Sequence, residues 1–336
     1  MPPKKPPTLQ DVAARAGVSS VAVSVVLNGT RSRTKVSEQT RVRILAAAQE
    51  INYHPNRLAR FLLRGKTDIV GVYLGHSHMA PRHPFLAELL SGLQEQCQAS
   101  GQNLLLLQRR PDQDQDALLA LLMGGIIDGL ILVTPANDPL LPKVAESTLP
   151  AILVADISPL LPSLLVDDSD GFRQILHHLV QRGHRRVMYL GGEKLSPSHA
   201  RRWRALASAA AEADVTLLSA PRIEEAPELP FLQELIQTLA LPPNLRPSAL
   251  IGFNDAIAHH VLEALLTAGI AVPQQVSVTG FDGYSRAPGG AQLTTVKADW
   301  AAVGRLALQR LQQGEEFCRP GDVTMLPIQF FPGDTT

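Results

Sequence analysis

The chain has 336 residues, with 31 basic and 31 acidic side chains and a formal net charge of zero at pH 7. Its length allows two or three domains, its two cysteines exclude a disulfide framework, and no apolar run reaches the roughly 18 residues of a membrane span. Residues 1–66 hold 12 Lys and Arg against 3 Asp and Glu. This asymmetry predicts a head that binds a polyanion, followed by an acidic body. The start of the chain lacks a signal-peptide pattern, so we expect a cytoplasmic protein.

The basic head is predicted to begin with a short helix from Leu9. Thr8 is expected to cap this helix, because its hydroxyl can accept a hydrogen bond from the amide of Asp11. Gly17 ends the helix, and Ser19 is placed to cap the next one. The following segment, "SVAVSVVLN", alternates valine with small residues, which is typical of a strand. It lies between two helical patterns, however, with no partner strand nearby, so we predict a second helix.

Helical spacing divides this second helix into two stripes. Val23, Val26 and Leu27 form an inner stripe that is predicted to pack on the first helix. The outer stripe offers groups that suit the major groove of DNA, namely Ser20, Val21, Ser24, Val25 and Asn28. A third helix is predicted from about residue 37, with an apolar face of Val42, Leu45, Ala46 and, at its edge, Gln49. Together the three helices predict a helix-turn-helix unit.

A short cationic helix is predicted in the segment "NYHPNRLARFLLRGKT". Pro55 disfavours helix at the residue before it, and Asn56 can cap a new helix. A nine-residue helix is marginal alone, so we expect it to order on DNA and to insert Leu62 into the minor groove. The alternative is a linker helix that packs on the body.

From Asp68 onward the pattern becomes an alternation of apolar runs and helical stretches. Seven runs are predicted as strands, namely "IVGVYL", "NLLLLQ", "GLILVT", "AILVAD", "RVMYLGG", "ALIGFND" and "VSVTGFD". Such alternation predicts parallel α/β sheets, and about 270 residues favour two lobes over one. Folds of this class bind small molecules at the carboxyl ends of their strands.

The segments "TLQDVAARAGVSSVAVSVVLNG" and "VSEQTRVRILAAAQEINYHPNRLAR" resemble the LacI/GalR family of bacterial transcription regulators. The resemblance continues through "DDSDGFRQILHHLVQRGHRRVMYLGG" and "FNDAIAHHVLEALLTAGIAVPQQVSVTGFDG". It implies an N-terminal all-α helix-turn-helix head (1–54), a hinge helix (55–66) and a two-lobed α/β body (67–336) that resembles a type I periplasmic binding protein. It also implies a homodimer on palindromic double-stranded operator DNA, with a small-molecule effector between the lobes.

The resemblance assigns the DNA contacts residue by residue. They fall on Thr8, Ser19, Ser20, Val21, Val23, Ser24 and Asn28 in the head, and on Asn56, Ala59, Arg60 and Leu62 in the hinge. Two residues depart from the family pattern, since Ala22 stands where Thr is common and Val25 where Arg is common. Arg31 and Arg33, in a loop longer than in shorter members, are expected to replace the lost charge on the phosphates.

The effector residues implied by the resemblance are Arg202, Asn254, Asp282, Asp156 and Phe85, with Arg201 as the competing choice for the pocket arginine. Carboxylate and amide oxygens accept from hydroxyl groups and arginine donates, so a sugar is expected. Each assignment has a structural alternative. The polar residues can cap or end turns after strands, and Phe85 can pack where a helix starts.

We therefore expect an effector-responsive repressor that acts as a dimer, without enzymatic activity, cofactor or metal. A solute-binding protein for transport would share the body, but the basic head argues against it. An α/β enzyme with an accessory basic domain is a second rival, and an activator is a third. A nucleoside or a phosphorylated metabolite is the alternative to a sugar as effector.

Overall fold

The computed structural model describes residues 7–29, 34–54, 65–75, 83–108, 114–191, 197–219, 229–283, 290–314 and 319–336. The contacts of the chain divide it into a head unit, Met1–Asp68 together with Gly125–Ile127, and a body unit, Ile69–Gly124 together with Asp128–Thr336. Residues 55–64 of the predicted hinge helix and the loop residues 30–33, with Arg31 and Arg33, lie outside the described residues.

The head contains three helices, α1 (Leu9–Ala16), α2 (Ser20–Asn28) and α3 (Glu38–Glu50). Thr8 and Asp11 form a capping box at the start of α1, and Gly17 ends the helix with a φ of 64°. The axes of α1 and α2 are bent by 111° at this turn. Ser19 caps α2, so the predicted caps and the helical nature of the valine-rich segment are confirmed.

The three helices enclose a small core of Val12, Ala13, Ala16, Ala22, Val23, Ile44, Ala47 and Ala48. Val26 and Leu27 pack against it, as predicted for the inner stripe of α2. The predicted face of α3 is wrong, because Val42 and Leu45 are 57% and 49% exposed. An adjacent stripe of α3 has the same helical spacing, and its small alanines at 47 and 48 allow closer packing in the head core.

Among the described residues, no single helix has the length and apolar character needed to cross a membrane, although α1 and α2 meet both criteria when taken together.

The first lobe of the body is built on a six-stranded parallel sheet with the order β11-β5-β4-β3-β1-β2. Its strands are β1 (Ile69–Leu74), β2 (Asn103–Gln108), β3 (Gly129–Val133), β4 (Ala151–Val154), β5 (Ser163–Val166) and β11 (Val323–Leu326). Its helices are α4 (Pro84–Ser100), α5 (Gln115–Met123), α6 (Leu140–Ala145) and α11 (Trp300–Gln313). Gly92 and Gly304 let α4 and α11 pack closely, because a Cβ at either would collide with the backbone of the other helix.

The second lobe is built on a four-stranded parallel sheet with the order β7-β6-β8-β9. Its strands are β6 (Arg186–Leu190), β7 (Thr216–Ser219), β8 (Ala249–Gly252) and β9 (Ser277–Thr279), and β10 (Thr295–Ala298) pairs antiparallel with β12 (Ile328–Phe331) beside them. Its helices are α7 (Asp168–Gln181), α8 (Pro197–Glu212), α9 (Leu229–Leu239) and α10 (Asp255–Thr267).

The chain passes between the lobes three times, from β5 to α7, from β10 to α11 and from β11 to β12. All seven predicted apolar runs form strands, namely β1, β2, β3, β4, β6, β8 and β9. The parallel α/β body with two lobes is therefore confirmed.

Candidate functional site

The outer surface of α2 is the candidate DNA-contacting surface of the head. Ser19 and Ser20 are exposed, and Val21 is 50% exposed. The Ser19 hydroxyl accepts a hydrogen bond from the Ala22 amide at 3.2 Å, which fixes the start of the helix. Ser24 and Val25 are half-buried beside them. The amino-terminal turn of α2 thus presents small groups and a valine methyl surface that suit a major groove.

Two of the predicted DNA contacts need correction. Val23 has no exposed surface and lies in the head core, so it positions α2 and has no face to offer DNA. Asn28 is only 4% exposed, and its Nδ2 donates to the Ser24 hydroxyl at 3.3 Å. It belongs to the inner support of α2. Helical spacing places Val23 on the inner stripe, and only the family resemblance assigns it to DNA, whereas Asn28 is placed on the outer stripe by spacing and by the resemblance.

Thr8 remains exposed at the start of α1, where its backbone amide and hydroxyl both donate to Asp11 Oδ2, at 2.8 and 2.7 Å. The other predicted contacts, at Arg31, Arg33, Asn56, Ala59, Arg60 and Leu62, lie outside the described residues.

In the body, Arg202 of α8 is the centre of a buried polar cluster. Its Nε donates to Asp168 Oδ1 at 3.1 Å, its Nη2 to Asp282 Oδ1 at 2.8 Å and its Nη1 to the Phe253 carbonyl at 2.7 Å. The guanidinium carbon lies 4.1 Å from the ring centroid of Phe281 and 4.8 Å from that of Phe253. Arg202 therefore holds the elements around it inside the second lobe.

Charge and burial act against each other in this cluster. Burial disfavours the charged form of Arg202, but Asp282 and Asp168 outweigh it and raise the pKa of the guanidinium above its ordinary value. Burial raises the pKa of Asp282, and the attraction of Arg202 opposes this shift. One guanidinium is shared by two carboxylates, which also repel each other, so Asp282 is only partly compensated.

Arg201, the competing choice, is more exposed than Arg202; it shares Asp168 with Arg202, but its other contacts are in the first lobe. Its Nη1 donates to Asp156 Oδ1 at 2.7 Å, its Nη2 to the Ala155 carbonyl at 3.1 Å and its Nε to Asp168 Oδ2 at 2.8 Å. Asp156 and Ala155 follow β4 of the first lobe, whereas Arg201 and Asp168 belong to α8 and α7 of the second. The structure thus brings the predicted residues Asp156, Arg202 and Asp282 into one cluster.

The structure also places the other two predicted effector residues. Asn254 caps α10, and its Oδ1 accepts a hydrogen bond from the Ile257 amide at 2.9 Å, which leaves Nδ2 as its remaining polar group. Phe85 is 7% exposed and packs edge-on against Trp300, with ring centroids 4.6 Å apart. The prediction that Phe85 stacks on an effector is therefore wrong, because the ring is part of the core of the first lobe.

Sequence reasoning missed three residues of the cluster. Asp168 bridges both arginines, but the acidic start of α7 is equally typical of ordinary helix capping. The ring of His199 stacks on Phe253 at 3.8 Å with an interplanar angle of 6°. Tyr189 is fully buried, its hydroxyl has no hydrogen-bond partner among the described residues, and burial raises its pKa. Only the fold brings these positions together, and no local motif marks them.

Comparison with known proteins adds independent information. Residues 8–56 match the model of the bacterial regulatory proteins of the lacI family, and residues 176–336 match a periplasmic binding protein-like domain. The chain is 30% identical over 313 residues to the HTH-type transcriptional repressor PurR of Photobacterium profundum, with 91% of each chain covered. It is 30% identical over 310 residues to the PurR of Mannheimia succiniciproducens, with 90% of each covered.

Two solved structures of full length are similar to this fold. The lac repressor dimer bound to operator and the anti-inducer ONPF superposes with a TM-score of 0.83 at 25% identity, over 99% of both chains. The complex of the transcriptional regulator CelR with cellobiose has a TM-score of 0.65 at 22% identity, over 98% of this chain and 100% of the other. The latter similarity concerns the fold alone.

Proposed function

The chain belongs to the lacI family of bacterial regulatory proteins and is a DNA-binding transcriptional repressor, and on this premise we propose that its operator affinity is set by an effector bound between the two lobes. The observation that carries the proposal is the polar cluster of Asp156, Arg201, Arg202 and Asp282. These side chains come from both lobes, and both aspartates follow the carboxyl ends of strands. Parallel α/β folds bind small molecules at such ends.

A sugar is the effector class that this chemistry favours. Asp156 and Asp282 offer carboxylate oxygens that accept from hydroxyl groups, and the arginines offer donors in a fixed geometry. The second candidate is a nucleoside or a free base. It is supported by the parallel stack of His199 on Phe253, whose half-buried rings offer an aromatic surface for a planar ligand.

On the DNA side, we propose that Ser19, Ser20 and Val21 contact base edges and phosphates, with Ser24 at the margin of the contact. Thr8, Arg31 and Arg33 are assigned to the phosphates, and Asn56, Ala59, Arg60 and Leu62 to the hinge in the operator centre. The chain acts as a homodimer in the cytoplasm, and its two-fold symmetry matches a palindromic operator. The domains proposed for these roles are residues 1–54, 55–66 and 67–336.

In this mechanism the effector changes the relative orientation of the lobes, which changes the spacing of the two hinge helices in the dimer. The effector acts through its different affinities for the two lobe arrangements. An inducer favours the arrangement in which the hinges leave the operator, and a co-repressor favours the opposite one.

The DNA-binding proposal is tested with DNA that the full chain selects from a random-sequence library. We expect Val21→Ala to weaken binding to the selected DNA by up to roughly tenfold, because it removes two methyl groups, each worth about 0.8 kcal/mol when buried against a thymine methyl. Val42→Ala is the matched control, because Val42 is equally exposed on α3 of the same head. If the two variants bind the selected DNA with equal affinity, the proposal that α2 contacts the bases is wrong.

The effector proposal is tested by thermal shift of the purified protein with sugars, sugar phosphates and nucleosides. A ligand at 100 times its dissociation constant stabilises the folded state by about 2.7 kcal/mol. We expect the shift to be lost in Asp282→Asn and kept in Asp322→Asn, whose carboxylate is exposed at the surface. A shift that survives in Asp282→Asn would place the ligand elsewhere, and the DNA-binding proposal would stand.

A further inference from the structure

Arg201 joins the two lobes with a single side chain. It lies on α8 of the second lobe, and two of its donors reach residues that follow β4 of the first lobe. These contacts are Nη1 to Asp156 Oδ1 at 2.7 Å and Nη2 to the Ala155 carbonyl at 3.1 Å. The third donor, Nε, holds the guanidinium in place through Asp168 Oδ2 at 2.8 Å. Among the ion pairs between described residues, Arg201–Asp156 is the one that crosses between the lobes.

The two acceptors of these hydrogen bonds, Asp156 and Ala155, are themselves held in place by the first lobe. Asp156 Oδ2 accepts from the Ala136 amide at 2.8 Å, and Oδ1 also accepts from the Ile157 amide at 3.0 Å, so the carboxylate connects the segments after β3 and β4. Ala155 has a φ of 68°, which an alanine rarely adopts. Residues in such conformations persist only where surrounding contacts hold them, and the Ala155 carbonyl is one of the groups that Arg201 contacts.

The pair is shielded from solvent, which separates it from ordinary surface ion pairs. The side chains of Arg201, Asp156 and Asp168 are 18%, 7% and 4% exposed. Salt screens such a pair far less than an exposed one. Arg201 nevertheless keeps more exposed surface than Arg202, whose side chain is 7% exposed and whose contacts all lie in the second lobe. The two neighbouring arginines therefore have different tasks.

We propose that Arg201 is the interlobe latch of this repressor, and that an effector acts by exchanging the Arg201–Asp156 contact for contacts to itself. This inference rests on the proposed function. A ligand that brings acceptors competes for the Arg201 donors, and one that brings donors competes for Asp156. Either exchange removes a contact that exists in only one lobe arrangement, which is the differential interaction that a shift between two states requires. Arg201 is thus a positioning residue for the response, whereas the contacts of Arg202 with described residues stay within the second lobe.

The test is a double-mutant cycle in the full chain, with the dissociation constant for the library-selected DNA as the readout. We expect Arg201→Leu and Asp156→Asn to shift this constant in the same direction, by roughly two- to thirtyfold. The double variant is expected to shift it no further than the larger single effect, because both changes break one contact. Arg204→Leu is the matched control, since Arg204 is exposed on the same helix and donates only to the Ala200 carbonyl within it.

Hydrogen exchange of the same variants without DNA gives a second readout. We expect the Ala136 and Ile157 amides to exchange at least about tenfold faster in Arg201→Leu and at the ordinary rate in Arg204→Leu. The proposal is overturned if the two single effects multiply in the double variant, if either single changes the dissociation constant less than twofold, or if these amides keep their protection. If the unsubstituted protein selects no DNA, the proposed function fails, and hydrogen exchange alone decides whether Arg201 is a latch.

Discussion

Replacement of Arg202 by methionine is the substitution for which the structure gives the clearest expectation. Methionine keeps the flexible stem and can still contact the rings of Phe253 and Phe281. It removes the cation that lies between Asp168 and Asp282, which are 4% and 6% exposed. In the variant Asp168 keeps its contact with Arg201, but Asp282 remains buried without its arginine partner, and the Phe253 carbonyl loses its donor.

The magnitude follows from the burial of the pair. Removal of one partner of a buried ion pair costs about 3–5 kcal/mol, because the other charge remains without compensation. At about 2–4 °C for each kcal/mol, the melting temperature of the body is expected to fall by about 6–20 °C. Arg204→Met is the control, and as a surface change it should alter the free energy of unfolding by no more than about 0.5 kcal/mol. Scanning calorimetry of both variants and the unsubstituted chain measures these differences.

The pH dependence of the lost stability shows whether the buried carboxylate of Asp282 causes it. Burial already raises the pKa of Asp282, and without Arg202 only the weaker attraction of His83 opposes that shift, while Asp168 adds to it. A carboxyl whose pKa is higher in the folded than in the unfolded state takes up a proton on folding, so its destabilising effect decreases as the pH falls. The deficit of Arg202→Met should therefore be smaller at pH 5 than at pH 8. A loss below about 1 kcal/mol at pH 8, or a deficit that does not change with pH, would refute this reasoning.

Three further predictions concern stability. Thr8→Ala should destabilise the head by about 0.5–2 kcal/mol in urea unfolding, because the capping box with Asp11 is lost, and an unchanged midpoint would contradict this. Ala155→Val should destabilise the body by about 1–3 kcal/mol, because a β-branched residue is strained at a φ of 68°, whereas Ala155→Gly should remain within about 1 kcal/mol. Burial lowers the pKa of His184, so stability should fall as the pH drops below about 6.5, with a slope of up to about 1.4 kcal/mol per pH unit from this group. His184→Asn should reduce that slope, and an equally steep fall in the variant would assign the effect to other groups.

The sequence predicts well those elements whose hydrophobic pattern fits only one type of secondary structure. The seven predicted strands are continuous apolar runs, as parallel strands covered on both faces should be. Strands such as β11 (Val323–Leu326) alternate exposed and half-buried residues at an edge of a sheet, and their four residues are too few for a pattern to stand out. The helical nature of α2 was predictable despite its valines, because its neighbours left no partner for a strand.

Competition between equivalent patterns explains the errors. In α3 two adjacent stripes have the same helical spacing, and only packing in the three-helix core decides that Ile44 is buried and Val42 is exposed. Asp282 and Asp156 could be located because they end conspicuous strands. Asp168 could not be, since its role depends on two arginines more than 30 residues away that only the fold brings to it. Phe85 was ambiguous for a similar reason, because its partner Trp300 is distant in sequence.

The close packing of α4 against α11 has a consequence for synthesis on the ribosome. Helix α4 is made early, but the helix and the edge strand that complete its lobe, α11 and β11, come after every strand of the other sheet. The contacts that join α1, α2 and α3 all lie within the first 50 residues, so this three-helix core can form early in synthesis. During most of translation the nascent chain therefore carries a folded head. The apolar surface around Gly92 stays exposed until α11 has been synthesised and packs on it. Because α11 is made so late, the exposed surface of α4 needs a chaperone to protect it during elongation.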